Sequence, residues 1–168
     1  MIWRIFSRGL LKLRSAWWRI VYRGYRSTYD IAPDFRFNGA GIVLFGQGRI
    51  ELGSTSYIGE NSSIQAAAGH RVSVGRHCAI SHNVRIYTTT SPADADLRQD
   101  PPASIMGSVV IGDGVWIGTN VYIGPGITIG SNAVVGANAV LTHSVPPDEI
   151  WAGVPARHLR RKNASTPP

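Results

Sequence analysis

The chain has 168 residues, a length that suits one domain, with 19 glycines and a formal net charge of +7. Because it has one cysteine, it cannot form an intramolecular disulfide. The charge is concentrated at the ends, because residues 1–30 hold seven basic side chains against one acid, whereas residues 31–156 hold six arginines against nine acids. Since the body is not basic and no base-stacking fold is visible, we expect no nucleic-acid partner.

The first predicted element is a basic amphipathic helix in an N-terminal arm, residues 1–30. Wound at about 100° per residue, it gathers basic side chains on one face and apolar side chains on the opposite face. Arginines interrupt the apolar residues too often for a membrane-spanning helix, and no signal-peptide cleavage site follows. The pattern favours residues 2–26 lying on an anionic membrane surface, and a helix that caps the body is the alternative. The basic face holds Arg4, Arg8, Lys12, Arg19, Arg23 and Arg26, and the apolar face holds Trp3, Phe6, Leu10, Leu13, Trp17, Ile20 and Val21.

The body, residues 31–155, shows a period of six, clearest in VVIGDGVWIGTNVYIGPGITIGSNAVVGANAVL at 109–141. Helices and alternating strands have shorter periods, whereas solenoids stack short repeats of this kind. Three repeats are expected to form one triangular coil, with the aliphatic residue inside and the glycine at a tight turn. Cys78 stands where other repeats hold Val or Ala, so we expect it to be buried. The aliphatic positions are Ile111, Ile117, Ile123, Ile129, Val135 and Leu141.

Two later segments depart from the repeat. Residues 87–108 are polar and contain prolines, so they are predicted to form a loop that leaves the prism, and such insertions often carry binding sites. Residues 156–168 form a basic tail, and a short C-terminal helical segment is predicted near residues 155–162.

The repeats resemble the left-handed parallel β-helix of the bacterial hexapeptide-repeat acyltransferases. The ending SVPPDEIWAGVPARHLRR is similar to that of the acetyl-CoA-dependent sugar O-acetyltransferases, meaning the galactoside, maltose and nodulation-factor group and relatives from capsule gene clusters. The resemblance covers roughly residues 50–162 and leaves out the arm. It implies an all-β fold, a homotrimer, and acetyl-CoA lying in grooves between neighbouring prisms as the acyl donor.

The resemblance also implies which residues bind the cofactor. Small residues beside the groove would border the pantetheine arm, and Arg157 and Arg160 would face the CoA phosphates, which guanidinium groups bind well. The implied pantetheine neighbours are Gly118, Thr119, Ala137 and Thr142.

Acetylation of a hydroxyl requires a general base. In the family a histidine in a T-x-H-P motif before the loop serves as this base, but here the segment is TTTSPADAD and Ser91 stands at that position. Serine cannot act as a base near neutral pH. His82, in ISHNVRI, is the first candidate replacement and Asp94 the second, while His143 is interpreted as incidental. Further candidates nearby are His70, His77 and Asp96.

Three functions are compatible with these residues. The first is an acetyltransferase acting on a sugar of a surface polysaccharide or its lipid-linked precursor, in the cytoplasm and held on the inner face of the cytoplasmic membrane by the arm. The second is a catalytically inactive trimeric scaffold, for which Ser91 is the evidence. The third is a metal enzyme like the γ-class carbonic anhydrases, suggested by the spacing of His77 and His82. The C-terminal tail of this chain does not resemble that of the γ-class carbonic anhydrases. We therefore expect no bound metal.

Overall fold

The protein is described by a computed structural model covering residues 2–96, 98–99, 101 and 103–163, without the side chains of residues 2–8 and 12. One helix, α1 (Ile2–Thr28), precedes the strands. The strands are β1 (Asp30–Ile31), β2 (Arg36–Asn38), β3 (Val43–Phe45), β4 (Arg49–Leu52), β5 (Tyr57–Gly59), β6 (Ser63–Gln65), β7 (Arg71–Val74), β8 (Ala79–Ile80), β9 (Arg85–Tyr87), β10 (Thr89–Thr90), β11 (Ile105–Met106), β12 (Val109–Ile111), β13 (Trp116–Ile117), β14 (Tyr122–Ile123), β15 (Thr128–Ile129), β16 (Val134–Val135), β17 (Val140–Leu141), β18 (Glu149–Gly153) and β19 (Ala156–Arg161).

All the strands except β10 and β11, which pair in the loop, stack into three sheets that form the faces of a triangular prism. Face A contains β1, β4, β7, β12 and β15; face B contains β2, β5, β8, β13, β16, β18 and β19; and face C contains β3, β6, β9, β14 and β17. The chain visits A, B and C in turn, so successive strands on one face belong to successive coils. The result is the left-handed parallel β-helix that the sequence predicts, with about five turns.

The repeat places one aliphatic side chain per strand inside the prism. On face B, Ile58, Ile80 and Ile117 are paired in register from coil to coil, and each is completely buried. The glycine that follows lies against the backbone of the next coil. At Gly118 an added Cβ would lie 2.5 Å from the backbone nitrogen of Ala137, so only glycine permits this close stacking.

Replacing Ile117 with alanine should lower the free energy of unfolding by about 2–5 kcal/mol, because the change leaves a cavity in a packed interior. Thr128→Ala, at an exposed strand position of face A, should change it by less than about 0.5 kcal/mol. Urea denaturation followed by circular dichroism measures both. Similar small losses for the two variants would contradict the packed interior.

The turns that follow β5, β8, β13 and β16 lead from face B to face C and form a straight edge, called the B–C edge below. Each of its turns contains an asparagine with φ between 57° and 61°, a left-handed conformation that asparagine tolerates. Asn83 Nδ2 donates to Asn120 Oδ1 at 2.7 Å, and Asn120 Nδ2 donates to Asn138 Oδ1 at 3.0 Å. This ladder holds the turns of neighbouring coils in line. The edge consists of residues 60–62, 81–84, 118–121 and 136–139.

The second half of α1 packs on the base of the prism. The Tyr22 ring stacks on Phe37 at 4.4 Å between centroids, and its hydroxyl donates to the Gly39 carbonyl at 2.9 Å. Burial raises the pKa of the Tyr22 hydroxyl. Trp18 and Tyr25 also pack against the core. The structure thus contains the capping arrangement, although aromatic residues and Val21 make the contact and most of the predicted apolar face takes no part in it.

Most of the described part of the predicted apolar face of α1 points away from the prism, although Val21 packs against the core. The side chains of Leu13, Trp17 and Ile20 are 68%, 63% and 63% exposed. Arg26, predicted on the membrane-facing basic surface, instead donates to the carbonyls of Ala32 and Phe35, and it is therefore not available to lipid. Five further residues predicted on these faces have side chains that lie outside the described residues: Trp3, Arg4, Phe6, Arg8 and Lys12. Within the described residues, no helix has the length and apolarity needed to cross a membrane.

The prediction of a short C-terminal helical segment is wrong. Residues 156–161 form β19, which pairs antiparallel with β18. Gly153, with φ of 100°, lies in the turn where the chain reverses direction. The physical reason is the open edge of β18 in face B, because its unpaired backbone groups gain partners from a returning strand, whereas an isolated helix of six residues is marginal. The predicted boundary at 155/156 falls inside this hairpin.

Candidate active site

Equivalent turn positions in successive coils of the B–C edge hold Glu60, His82, Thr119 and Ala137. The amide that follows each residue bonds to the carbonyl of the residue one coil below: Asn83 N donates to Glu60 O at 2.9 Å, Asn120 N to His82 O at 3.1 Å, and Asn138 N to Thr119 O at 2.8 Å. Neighbouring parallel strands lie about 4.8 Å apart. The four residues therefore form a line, called the edge row below, and His82 lies about 10 Å from Ala137 along it.

The edge row runs from Glu60 at its lower end to Ala137 at its upper end, and its upper half is narrow and open. Thr119 is half-buried and Ala137 is exposed, so two small side chains follow His82. The register of β16 with β18 places Gly153 beside Ala137, which extends the line by one more coil without a side chain. Trp116 on face B flanks the row and is 56% exposed. An extended chain molecule can lie along such a surface without meeting a bulky obstacle.

The strand register places Arg157 at the upper end of the edge row. Arg157 pairs with Ala152, and Ala152 in turn packs against Gly136, the residue before Ala137. Arg160 lies further along β19, opposite Ile150. Both arginine side chains are exposed. The two positive charges therefore lie on the terminal strand of face B, with Arg157 nearer to the edge.

The loop places Ser91 and Asp94 on a different edge, between faces C and A. The chain leaves face C after β9, forms the antiparallel pair of β10 and β11, and returns at β12. Thr142 lies on this C–A edge too, with its hydroxyl 3.0 Å from His143 Nδ1. A face of about five extended residues is roughly 17 Å wide. Within one protomer, His82 is therefore not brought together with Ser91, Asp94 or Thr142.

Asp96 forms an ion pair with Arg98, with 2.8 Å between Oδ1 and Nε. The hydrogen bonds from Arg98 hold the pKa of the Asp96 carboxyl below its usual range. A carboxylate with a lowered pKa is a weaker base. Asp96 is therefore poorly suited to accept the proton of a hydroxyl, and its bonds are directed to Arg98 within the loop.

The other histidines lie away from the edge row. His77 is on the A–B edge, where its Nδ1 is 2.7 Å from the Thr55 hydroxyl oxygen. His70 follows β6, at the turn from face C to face A. The width of face B separates His77 from His82, so these two residues do not share a site within one protomer.

Cys78 is buried, as predicted. Its thiol lies 3.0 Å from the Gly112 carbonyl oxygen, and burial raises the pKa of the thiol. A buried thiol with a raised pKa forms little thiolate and is a poor nucleophile. The side chain serves the packing of the prism interior, and it lies off the B–C edge.

Two residues of the site were not predicted from the sequence. Glu60 lies 22 positions before His82, the same spacing that separates Ile58 from Ile80 on face B, so the repeat itself contained this signal. Trp116 stands at an outward position of its repeat, where its large apolar ring is unusual. Both lie beside or within the edge row.

Comparison with known proteins supports the fold and the family. The model of the bacterial transferase hexapeptide family (six repeats) matches residues 108–143. A hexapeptide-repeat-containing acetyltransferase of Vibrio cholerae O1 biovar eltor, solved with acetyl coenzyme A, is 33% identical, with 85% of this chain and 76% of that chain covered and a TM-score of 0.59. The comparison with curated proteins gave no match.

Two further solved structures are similar. A galactoside acetyltransferase in complex with coenzyme A is 31% identical, with 76% of this chain and 66% of that chain covered and a TM-score of 0.54. A variant of AntD, an N-acyltransferase of Bacillus cereus solved with dTDP and coenzyme A, is 17% identical, covers 84% and 89%, and has a TM-score of 0.67, which shows a shared fold alone. The six-residue repeat, the prism and the identity to the Vibrio cholerae protein agree. The chain belongs to the hexapeptide-repeat acyltransferase family.

Proposed function

We propose that the protein transfers an acetyl group from acetyl-CoA to a hydroxyl of a sugar, in a surface polysaccharide or its lipid-linked precursor, at a membrane surface. The observation that carries the proposal is the edge row, because His82 lies in line with Thr119 and Ala137. The relatives solved with acetyl coenzyme A or coenzyme A support the choice of donor.

The edge row suits the extended cofactor. The pantetheine arm runs past Ala137 and Thr119, with the backbone of Gly118 packed beneath them, so that the thioester reaches His82. The phosphates lie toward Arg157, with Arg160 further along the same strand. Guanidinium groups bind phosphate through paired N–H donors. The order of the residues along the B–C edge matches the order of the chemical groups along acetyl-CoA.

His82 acts as the general base in this proposal. Its ring accepts the proton of the sugar hydroxyl while the hydroxyl oxygen attacks the thioester carbon. The tetrahedral intermediate collapses by breaking the carbon–sulfur bond, and the proton passes from the imidazolium to the departing CoA sulfur. A backbone amide of the edge stabilises the oxyanion. No covalent enzyme intermediate forms, in keeping with the buried Cys78.

A homotrimer would complete the site. The outer surface of face C carries a row of aromatic side chains, in which Phe45 and Tyr122 each contact Tyr87 edge-on, and Phe45 is 43% exposed. Packing of prisms through such a face brings the C–A edge of one protomer toward the B–C edge of its neighbour. Thr142, Ser91 and Asp94 then approach the edge row of another subunit.

The exposed apolar face of α1 supports a peripheral position on the inner face of the cytoplasmic membrane. We expect the double variant Leu13→Gln/Trp17→Gln to bind vesicles of phosphatidylglycerol about tenfold less tightly, because it removes two exposed apolar side chains without changing the charge. Co-sedimentation measures the binding. The control is Val154→Gln/Leu159→Gln, which replaces two apolar side chains of similar fractional exposure on the β18–β19 hairpin. Equal binding by wild type and both variants would count against membrane attachment through α1.

A catalytically inactive trimeric scaffold remains the second candidate, because Ser91 stands where the family has its histidine. Transfer of radiolabelled acetyl from acetyl-CoA to a panel of free and lipid-linked saccharides separates the two functions. Labelled saccharide above the no-enzyme rate supports the transferase. CoA binding without any transfer to the panel supports the scaffold.

A further inference from the structure

A cavity of about 490 Å³ lies between α1 and the lower end of the edge row. Arg14, Trp18 and Arg19 line it from the helix, and Gly39 and Glu60 line it from the prism. The cofactor path proposed above runs upward from His82 and leaves this space free. The cavity is therefore available to the second substrate.

The lining groups suit a saccharide that carries phosphate. Two arginines and one glutamate line the cavity, so its charged side chains carry a net positive charge, and arginine binds phosphate oxygens in pairs. Trp18 offers a half-buried ring face for a sugar ring, and the Glu60 carboxylate accepts hydrogen bonds from hydroxyls. An added Cβ at Gly39 would lie 2.5 Å from the Glu60 Cβ, so glycine leaves room for Glu60 against the cavity floor.

The cavity adjoins the general base. Glu60 lies directly below His82 in the edge row, one coil or about 4.8 Å away. A sugar held against Glu60 and Trp18 therefore presents hydroxyls within one coil of His82. Phosphate groups attached to that sugar lie on the far side, toward Arg14 and Arg19.

The orientation of α1 gives the phosphate a route to a lipid. Trp17 and Ile20 point away from the prism, while Trp18 and Arg19 line the cavity. The same helix thus has one side for the proposed membrane surface and one for the cavity.

We infer that this cavity is the acceptor subsite and takes a saccharide linked to pyrophosphate, with the phosphates between Arg14 and Arg19 and the sugar against Trp18 and Glu60. The inference rests on the proposed function and specifies its acceptor. Pyrophosphate-linked sugars exist in lipid-linked and nucleotide-linked forms, which share this chemistry.

Binding of three probes to the full chain tests the inference by calorimetry without acetyl-CoA: inorganic pyrophosphate, geranyl-pyrophosphate-linked N-acetylglucosamine, and UDP-N-acetylglucosamine. Arg14→Gln/Arg19→Gln should weaken binding of the probes about tenfold or more. Arg36→Gln/Arg71→Gln, which removes the same charge from exposed positions outside the cavity, should change it by less than about twofold. Tighter binding of the geranyl probe identifies a lipid-linked acceptor, and tighter binding of the UDP probe a nucleotide-linked one.

Failure of the inference is distinguishable from failure of the proposed function. The inference is overturned if no pyrophosphate probe binds wild type, or if the two double variants lose equal affinity. Acetyl transfer to sugars that lack phosphate, unchanged in Arg14→Gln/Arg19→Gln, would also overturn it while supporting the transferase. If a probe binds in an arginine-dependent way but no acetyl group is transferred to it, the inferred class of ligand stands and the proposed acetyltransferase activity is rejected.

Discussion

Replacing His82 with alanine should lower kcat for acetyl transfer by about 10²–10⁴-fold, the usual contribution of a general base. The Kd for CoA should change by less than about twofold, because the imidazole lies beside only the sulfur end of CoA, while the proposed contacts to the pantetheine arm and the phosphates are made by other residues. Steady-state kinetics with saturating acetyl-CoA and a direct CoA-binding measurement separate the two effects. The expected result is thus a loss in the chemical step with the cofactor site intact.

Two comparison variants sharpen this experiment. His77→Ala removes a histidine from the A–B edge and should leave kcat unchanged, since the width of face B separates it from the edge row. Ser91→His restores the residue type of the family motif on the C–A edge. Full activity in His82→Ala would reject His82 as the base. Activity that is absent from wild type and present in Ser91→His would indicate a scaffold that has lost its base.

Replacing Ala137 with tryptophan should weaken CoA binding about 100-fold or more, because an indole ring would fill the edge row where the pantetheine arm passes. The fold should survive, since the Ala137 side chain points to solvent from a turn. Calorimetric titration with CoA measures the loss, and circular dichroism checks the fold.

The control for the tryptophan is Thr128→Trp, which introduces the same ring at an exposed strand position of face A. It should bind CoA as wild type does. If Ala137→Trp retained wild-type affinity, the cofactor path along the B–C edge would be wrong. Equal losses in both variants would point to a general effect of a surface tryptophan.

The prism was predictable because its cause is local. Each repeat alternates inward and outward positions, and the glycine after Ile117 is demanded by the backbone of the next coil, so a period of six determines the coil without knowledge of distant residues. The same periodicity places Thr119 and Ala137 in line, since 18 residues make one coil. His82 lies 37 positions before Thr119, so it joins that line only when the 19 residues that the loop adds to a coil of 18 are left out of the count.

The ends of the chain were less predictable because their partners are distant in sequence. The α1 contact depends on Tyr22 meeting Phe37 and Gly39, whereas the angular pattern of the helix gives more weight to its aliphatic residues. The β18–β19 hairpin depends on the open edge of face B, which exists only after the prism has formed. The acceptor cavity needs both the helix position and the first coils, so sequence alone did not indicate it.

In the proposed complex, acetyl-CoA lies along the B–C edge with its thioester at His82. A crystal structure of the protein with bound CoA tests it most directly and needs no knowledge of the acceptor. We predict the CoA sulfur beside the His82 ring, the pantetheine arm over Thr119 and Ala137, and the phosphates toward Arg157. CoA lying along the C–A edge with its sulfur beside Ser91, and with the edge row empty in every protomer, would contradict this placement.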